Sequence, residues 1–213
     1  MAWTIVVAAG RGTRFGGLKP YAPLCGRRVL DWSLAAARSA TDGVVLVVVP
    51  ERVEEGHAHA AHTVAGGATR SQSVRAGLAV VPASCATVLV HDAARPLAAT
   101  DLFERVVAAV EAGADGAVPS VPVIDTLRWV DGGVVDRHGL VAVQTPQAFR
   151  ADQLRAAHAP GGDATDDAAL LEAAGGRVVL VPGDPANLKI TGPTDLVVAA
   201  ALLEARAHES SQW

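Results

Sequence analysis

A loop rich in glycine and in positive charge follows the first apolar run of the sequence. Residues 4–7 are typical of a buried strand, and residues 8–20 then contain four glycines and three basic side chains. Glycines allow backbone N–H groups to turn toward an anion, and basic side chains neutralise it. The segment therefore predicts a binding site for a highly charged ligand such as a triphosphate.

Lysine is rare in this chain, and both lysines lie in segments that could do chemistry. Of the 18 lysines and arginines, only Lys19 and Lys189 are lysines. Because arginine is the usual cation here, each lysine indicates a site that needs a compact, flexible point charge rather than a planar fork. Lys19 closes the glycine-rich loop, and Lys189 lies in the segment Asn-Leu-Lys-Ile-Thr at 187–191.

Two further segments place polar groups at the ends of predicted elements. Asp92 follows an apolar run, where a carboxylate can hold a divalent metal or a sugar hydroxyl, and Arg95 could be its ion-pair partner and nothing more. Residues 66–73 lead into a predicted helix. Their hydroxyl and N–H groups either bind a base or a phosphate or simply cap that helix.

Two common nucleotide motifs do not fit the glycine-rich loop. The third glycine of G-x-G-x-x-G would fall at Phe15, and no acidic residue closes the second strand. A P-loop fails as well, because no Gly-Lys-Ser/Thr follows. The remaining alternatives are a phosphate-binding loop of another type and a surface loop with solvated charges, and its place at a strand end favours the first.

Composition excludes several classes of protein. The net charge of −4 and the sequence pI of about 5.9 argue against a nucleic-acid binder, which would carry a basic face. No apolar run approaches the roughly 20 residues of a membrane span, so we expect no membrane association. Cys25 and Cys85 form no C-x-x-C pair and are predicted to be reduced thiols in the core of a cytoplasmic protein.

Short valine-rich runs alternate with alanine-rich helical patterns along the chain. The predicted strands are 3–8, 44–49, 87–91, 116–121 and 177–181. The predicted helices are 29–39, 71–81, 101–112, 166–174 and 194–207. This alternation predicts an α/β fold, with a Rossmann-like, mostly parallel sheet sandwiched by helices in one domain over residues 1–213.

Residues 121–143, here called the arm, do not follow this alternation of strands and helices. Asp131-Gly132 between β-rich segments is a strong hairpin signal. The arm also contains Trp129, a large aromatic side chain in a chain that is only 4% aromatic. A projecting apolar hairpin needs a cover, so we expect the arm to dock on a second copy of the chain in a homodimer.

Taken together, these motifs resemble the 2-C-methyl-D-erythritol 4-phosphate cytidylyltransferases of the non-mevalonate isoprenoid pathway. The resemblance spans nearly the whole chain. The segments that carry it, in order, are 8–14, 19–21, 66–74, 90–96, 125–126, 136–140, 145–147, 165–168 and 187–191. The first segment alone fits any sugar nucleotidyltransferase, whereas the set is specific. The chain departs at Leu18-Lys19-Pro20-Tyr21, where many relatives read Pro-Lys-Gln-Tyr, and at Ala68-Thr69, where an acidic pair is common.

The resemblance implies a nucleotidyltransferase-type fold and a set of roles. Arg14 and Lys19 would stabilise the α-phosphate of CTP, while Arg137 and Lys189 would hold methylerythritol phosphate, with Arg137 arriving from the other subunit. Contacts to the nucleotide are implied for Ala8, Ala9, Gly10, Gly67 and Ser73. Further substrate contacts are implied for Gly12, Arg70, Asp92, Ala93, Arg95, Thr126, Thr145 and Thr165. Mg²⁺ is the expected cofactor, held largely by the nucleotide rather than by protein ligands.

Three alternatives remain open from the sequence. A cytidylyltransferase for another polyol phosphate, such as ribitol 5-phosphate, would share the cytidine motifs and differ in the acceptor pocket. A guanylyltransferase of molybdenum cofactor synthesis usually has Leu-Ala-Gly-Gly in the first loop, which Ala8-Ala9-Gly10 disfavours. A non-catalytic nucleotide sensor is disfavoured by the retained Arg14, Lys19 and Lys189.

Overall fold

The computed structural model describes residues 1–10, 17–55 and 57–210. Ten strands lie in this part of the chain. They are β1 (Ala2–Val7), β2 (Pro23–Leu24), β3 (Arg27–Arg28), β4 (Gly43–Val48), β5 (His62–Ala65), β6 (Thr87–Asp92), β7 (Gly116–Pro122), β8 (Val141–Val143), β9 (Gln147–Arg150) and β10 (Val178–Pro182).

Six α-helices and two short 3₁₀ turns alternate with the strands in the described residues. The helices are α1 (Val29–Ala40), α2 (Arg70–Leu78), α3 (Thr100–Glu111), α4 (Ala151–His158), α5 (Asp167–Ala173) and α6 (Pro193–Ser210). The 3₁₀ turns are Lys19–Tyr21 and Pro50–Arg52.

One sheet organises the described part of the chain. Its strand order is β10-β7-β9-β6-β1-β4-β5, with β8 paired to β7 beyond this path. β1 is parallel to both β4 and β6, whereas β9 runs antiparallel between β6 and β7. The carboxyl ends of β1, β4 and β6 therefore meet at one edge of the sheet, where ligands bind in open α/β folds.

Helices cover both faces of this sheet. On one face, α1 and α3 pack their leucines, valines and Phe103 against alternate residues of β1, β4 and β6. On the other face, α2, α4 and α5 pack against Ile5, Val45 and Val90. α6 and Ile190 pack separately on the β2–β3 turn. Every residue of β4 is buried, as expected of a strand covered on both faces.

The structure confirms the predicted fold class, and all five predicted strands and five predicted helices are present with ends shifted by at most three residues. Five further strands, β2, β3, β5, β8 and β9, and helix α4 were not predicted from the sequence. β5, β8 and β9 each have only three or four residues, too few for a periodic pattern, and Pro146 precedes β9. One cysteine prediction is wrong: Cys85 is buried, but Cys25 is exposed, because it lies in the β2–β3 turn with φ +46°.

The predicted hairpin is present in the arm. Arg128 and Val134 form an antiparallel bridge, and the turn between them uses positive φ at Gly132 and Gly133. Nearly every side chain from 122 to 143 is exposed, including Trp129 at 64% and Val130. β8 then returns the chain to β7, with Val143 opposite Ser120. In the chain alone, the arm is thus a largely uncovered apolar surface.

Candidate active site

A cleft of about 740 Å³ lies at the carboxyl edge of the sheet. It is formed by the end of β1, the segment after β4, the loop before α2, the end of β6 and the loop that carries Lys189. The described residues that line it are Val7, Ala8, Ala9, Gly10, Lys19, Pro20, Val49, Pro50, Gly66, Gly67, Ala68, Thr69, Arg70, Ser73, Asp92, Ala94 and Lys189. Their side chains supply three cations and one carboxylate, which favours an anionic ligand.

The end of β1 forms a closely packed wall of the cleft. Ala8 is buried, and its N–H donates to the carbonyl of Val47 at 2.7 Å. A Cβ on Gly66 would lie 2.3 Å from the Cβ of Ala9, so neither position has room for a larger side chain. Small residues therefore bring backbone groups to the cleft surface, where they can contact a ligand directly.

The loop before α2 is held by its own side chains. The Ser73 hydroxyl accepts from the N–H of Gly67 at 3.2 Å and donates to the carbonyl of Thr69 at 3.0 Å. Thr69 is the N-cap of α2, and its hydroxyl accepts from the N–H of Gln72. The capping interpretation is confirmed, and residues of the segment also line the cleft, where their contact with a base or a phosphate stays a prediction.

Lys19 reaches the same cleft from a short 3₁₀ turn that follows the glycine-rich loop. Pro20 makes this turn rigid and is itself buried. The ring of Tyr21 lies 4.2 Å beneath the guanidinium of Arg52, in the 3₁₀ turn after β4. This cation–π contact joins the turn that carries Lys19 to the opposite wall at Pro50.

Asp92 is the centre of an ion-pair cluster at the end of β6. Its Oδ2 lies 2.5 Å from Nζ of Lys189, and its Oδ1 lies 3.5 Å from Nε of Arg70. Burial alone would raise the pKa of Asp92, but the charges of Arg70 and Lys189 outweigh it and lower that pKa to about 2. The carboxylate is therefore ionised at neutral pH and orders two cations at the cleft.

Thr145 and Ala93 lie next to Asp92 but do not line the cleft. The Thr145 hydroxyl accepts from the N–H of Asp92 at 3.0 Å and lies 3.1 Å from Nδ1 of His91. Ala93 is fully buried, and its N–H donates to the carbonyl of Val7. Both were predicted to contact substrate; the structure places them behind Asp92, outside the cleft lining.

Arg95 lies beside the site and contacts backbone rather than the cleft. Its guanidinium donates to the carbonyl of Asn187 at 2.7 Å and to that of Val143 at 3.3 Å. Burial lowers the pKa of Arg95. The side chain thereby joins the loop before Lys189 to the strand that returns from the arm. Its predicted contact with substrate stays a prediction.

The structure does not bring every predicted residue to the cleft. Thr126 and Arg137 lie on the exposed arm, where Arg137 donates to the carbonyl of Ile124. Thr165 is exposed in the loop before α5. Gly12 and Arg14 lie outside the described residues. Of the other predicted residues, the lining includes Ala8, Ala9, Gly10, Lys19, Gly67, Arg70, Ser73, Asp92 and Lys189.

Several residues of the site were missed from the sequence. Val49 and Pro50 line the cleft, and the signal was the proline that ends a buried strand beside β1. Gly66 belongs to the predicted segment 66–73 but was not singled out within it, and it sits against Ala9. Asp167 is fully buried and binds Arg70 at 2.7 Å, which only a three-dimensional structure reveals, because the two residues are distant in sequence.

The described residues contain no group of three or more His, Cys, Asp or Glu side chains that could hold a metal ion. Asp92 is the one carboxylate in the described lining, and two cations already bind it. A divalent ion that enters with a triphosphate would therefore find at most one protein carboxylate there and would take most of its ligands from phosphate oxygens.

Among the described helices, none is both long and apolar enough to cross a membrane.

Comparison with known proteins identifies the family of this chain. Residues 2–205 match the sequence model of the family described as IspD, 2-C-methyl-D-erythritol 4-phosphate cytidylyltransferase. A protein of that name from Nocardia farcinica is 45% identical, over 95% of this chain and 94% of its own length. A bifunctional enzyme IspD/IspF from Dinoroseobacter shibae is 48% identical over 95% of this chain. The chain spans about half the length of such bifunctional relatives, 54% in this case.

Solved structures give the same result. The crystal structure of the 2-C-methyl-D-erythritol 4-phosphate cytidylyltransferase from Thermus thermophilus superposes with a TM-score of 0.83 at 39% identity, covering 94% of this chain and 98% of that one. The bifunctional IspDF from Campylobacter jejuni also gives 0.83, at 26% identity. With a family match over residues 2–205 and relatives above 40% identity along nearly its whole length, the chain belongs to the IspD family of nucleotidyltransferases.

Proposed function

We propose that this chain transfers CMP from CTP to 2-C-methyl-D-erythritol 4-phosphate, giving 4-diphosphocytidyl-2-C-methyl-D-erythritol and pyrophosphate. Family membership supports the reaction. The observation that carries the proposal is the meeting of Lys19, Arg70 and Lys189 around one cleft, one wall of which is the segment from Ala8 to Gly10. That arrangement suits two phosphorylated substrates.

The barrier to this reaction is mainly electrostatic. A phosphate oxygen of the acceptor attacks the α-phosphorus of CTP, and the bond from that phosphorus to the bridging oxygen of the β-phosphate breaks. Both reactants are anions, so catalysis consists largely of positioning and neutralisation. The acceptor phosphate is already a nucleophile, and the mechanism therefore needs no side chain that acts as a general base.

The roles within the cleft follow from position. We assign the nucleotide to the wall formed by Ala8, Ala9, Gly10, Gly67 and Ser73, where backbone groups can contact the base edge and the phosphates. Lys19 stabilises the crowded α-phosphate, together with Arg14. Lys189, on the opposite side beside Asp92, holds the acceptor phosphate.

Mg²⁺ is part of the proposal as a partner of CTP. When bound, it would neutralise phosphate charge and favour departure of pyrophosphate. Asp92 is the carboxylate nearest to that chemistry, and its partners Arg70 and Lys189 leave it little capacity for a metal. The chain's own contribution is thus cationic: Lys19, Arg70 and Lys189 surround the phosphates.

The arm completes the proposed enzyme as a homodimer. Its exposed apolar side chains include Ile124 at 82% and Trp129 at 64%, and a second copy is the partner we assign to them. Arg137 lies on the arm and not in the cleft of its own chain. It can reach an acceptor phosphate only if the arm docks near another subunit's cleft.

We also place the enzyme in the cytoplasm, in line with its two free cysteines.

The test is release of pyrophosphate with matched acceptors. CTP with methylerythritol phosphate and Mg²⁺ should release pyrophosphate rapidly, while CTP alone should release almost none. Ribitol 5-phosphate is the control acceptor, because it presents a similar polyol phosphate. Equal rates with both acceptors would contradict the assigned substrate. A chelator should abolish the reaction if Mg²⁺ is required.

A further inference from the structure

A line of hydrogen-bonded polar side chains runs from the back of the cleft to Lys189. Nε2 of His158 lies 2.9 Å from Oδ1 of Asp167, and Oδ2 of Asp167 accepts from Nη1 of Arg70 at 2.7 Å. Nε of Arg70 lies 3.5 Å from Oδ1 of Asp92, whose Oδ2 accepts from Nζ of Lys189 at 2.5 Å. Five side chains from distant parts of the sequence thus form one connected series.

The far end of this series is buried. The side chain of Asp167 is fully buried and that of His158 is 2% exposed. His158 is the last residue of α4, Asp167 is the first of α5, and the two helices pack on the same face of the sheet. A buried carboxylate is costly unless both oxygens have partners, and here His158 and Arg70 supply one each. The pair is therefore held rigidly.

Arg70 links this buried pair to the cleft. It is the first residue of α2, and its guanidinium donates from different nitrogens to Asp167 and to Asp92. Burial alone would lower the pKa of Arg70, but the two carboxylates outweigh this and raise it. A planar guanidinium bound on two sides has one orientation, which in turn sets the position of the Asp92 carboxylate.

We propose that Asp167, supported by His158, is a positioning residue that orients Arg70 against Asp92 and thereby places the ammonium group of Lys189 at the cleft. The kinetic part of this inference rests on the proposed function, because it takes the acceptor phosphate as the ligand of Lys189. Asp167 does not line the cleft, and Arg70 is the lining residue that its side chain binds.

The scarcity of lysine provides a direct readout. Protein labelled with ¹³C and ¹⁵N in lysine alone has two lysine side-chain signals, and a Lys19→Arg variant assigns them. Asp167→Asn keeps the shape of the side chain but removes its charge, and we expect it to shift the Lys189 signal while the Lys19 signal stays in place. Glu172→Gln is the matched control, because it removes an exposed carboxylate from the same helix; neither signal should move.

Steady-state kinetics provide the second readout. Asp167→Asn should raise KM for methylerythritol phosphate about tenfold, the scale of one lost charge-assisted hydrogen bond, and leave the affinity for CTP nearly unchanged. If folded Asp167→Asn keeps the Lys189 signal of the wild type, the inference is wrong whatever its KM. If the wild type shows no turnover, the proposed function fails, and the lysine signals still decide the positioning role.

A second pair of variants applies if Asp167→Asn does not fold. His158→Gln retains an amide nitrogen close to the position of Nε2, whereas His158→Leu removes the donor. We expect His158→Leu to shift the Lys189 signal, and His158→Gln to give a Lys189 signal close to that of the wild type. Identical Lys189 signals in the wild type and both variants would overturn the proposal.

Discussion

Nζ of Lys189 lies 2.5 Å from Oδ2 of Asp92, with the lysine side chain 44% exposed and the aspartate side chain 13% exposed. The carboxylate is thus the buried, fixed partner, and the ammonium group faces the cleft. A dianionic phosphate that enters the cleft meets a lysine already held in place, so less side-chain entropy is lost on binding. This relationship leads to the first prediction.

Lys189→Ala should impair use of the acceptor and not of the nucleotide. We expect KM for methylerythritol phosphate to rise, or kcat/KM to fall, about a hundredfold, because a charge-assisted contact to phosphate is lost. Calorimetry with CTP should give an affinity close to that of the wild type. A large drop in CTP affinity would place Lys189 in the nucleotide half of the cleft.

Lys19→Ala should abolish most turnover while the fold remains intact. The charge of Lys19 acts mainly on the transition state, where negative charge gathers at the α-phosphate. Loss of about 3 kcal/mol or more of stabilisation, roughly a hundredfold in kcat, is expected on the scale of other removed oxyanion partners. Circular dichroism serves as the folding control, and activity within tenfold of the wild type would refute this role.

Gly66→Ala should weaken nucleotide binding. The added Cβ would lie 2.3 Å from the Cβ of Ala9 and 2.8 Å from Oγ of Ser73, so the two walls of the nucleotide site must move apart. We expect CTP affinity to fall about tenfold, since a shift of this kind costs on the order of 1–3 kcal/mol. Gly192→Ala is the matched control, because its Cβ would meet nothing within 4 Å. Equal affinities for both variants would show that the wall is not part of the nucleotide site.

His91 should make the protein less stable in mild acid. Burial lowers the pKa of this fully buried imidazole from 6.5 to about 4. Between about pH 6.5 and pH 4, His91 is protonated in the unfolded chain and neutral in the folded chain. The free energy of unfolding therefore keeps its full value with respect to His91 above pH 6.5. It decreases as the pH falls toward 4, by up to about 3 kcal/mol.

Urea unfolding at pH 7 and pH 4.5 measures this effect. The free energy of unfolding of the wild type should decrease more between these two pH values than that of His91→Gln. His59→Gln, at an exposed histidine, should behave like the wild type. If His91→Gln shows the same pH dependence as the wild type, another group is responsible.

Arg137 should act across the interface of the proposed dimer. If each cleft receives Arg137 from the partner, co-expression of Arg137→Ala with Lys19→Ala gives mixed dimers in which one site has both residues and the other has neither. About half of the dimers are mixed at random, so roughly a quarter of wild-type activity should return. Differently tagged subunits allow mixed dimers to be isolated. Isolated mixed dimers that are inactive would show that Arg137 serves its own chain.

The elements that could be predicted were those with a local signal. Long valine runs such as β4 and alanine-rich helices such as α1 repeat apolar residues at a period that only one backbone geometry can bury. β9 has no such signal, because it is four residues long and is held by its antiparallel partners on both sides. Its place between β6 and β7 depends on pairing with residues far away in sequence.

The residues of the candidate site likewise fall into those that the sequence predicted and those that only tertiary contacts reveal. The scarcity of lysine selected Lys19 and Lys189. A strand-end position selected Asp92, because polar groups that follow parallel strands meet at one edge of the sheet. Position alone could not separate residues that line the cleft from residues that support them. Thr145 and Arg95 lie in similar motifs, yet the structure turns them toward the backbone of Asp92, Asn187 and Val143.

The sequence by itself determined the fold class, the glycine-rich strand end, the hairpin in the arm and the two lysines of the cleft, because backbone geometry, turn chemistry and charge are local properties. Only the tertiary structure decided which charges pair. Arg70 meets both Asp92 and Asp167, and Asp167 meets His158, across sequence separations that no local pattern reports. Ion pairing depends on distances of a few ångströms in a desolvated setting, and packing of whole helices on the sheet sets those distances.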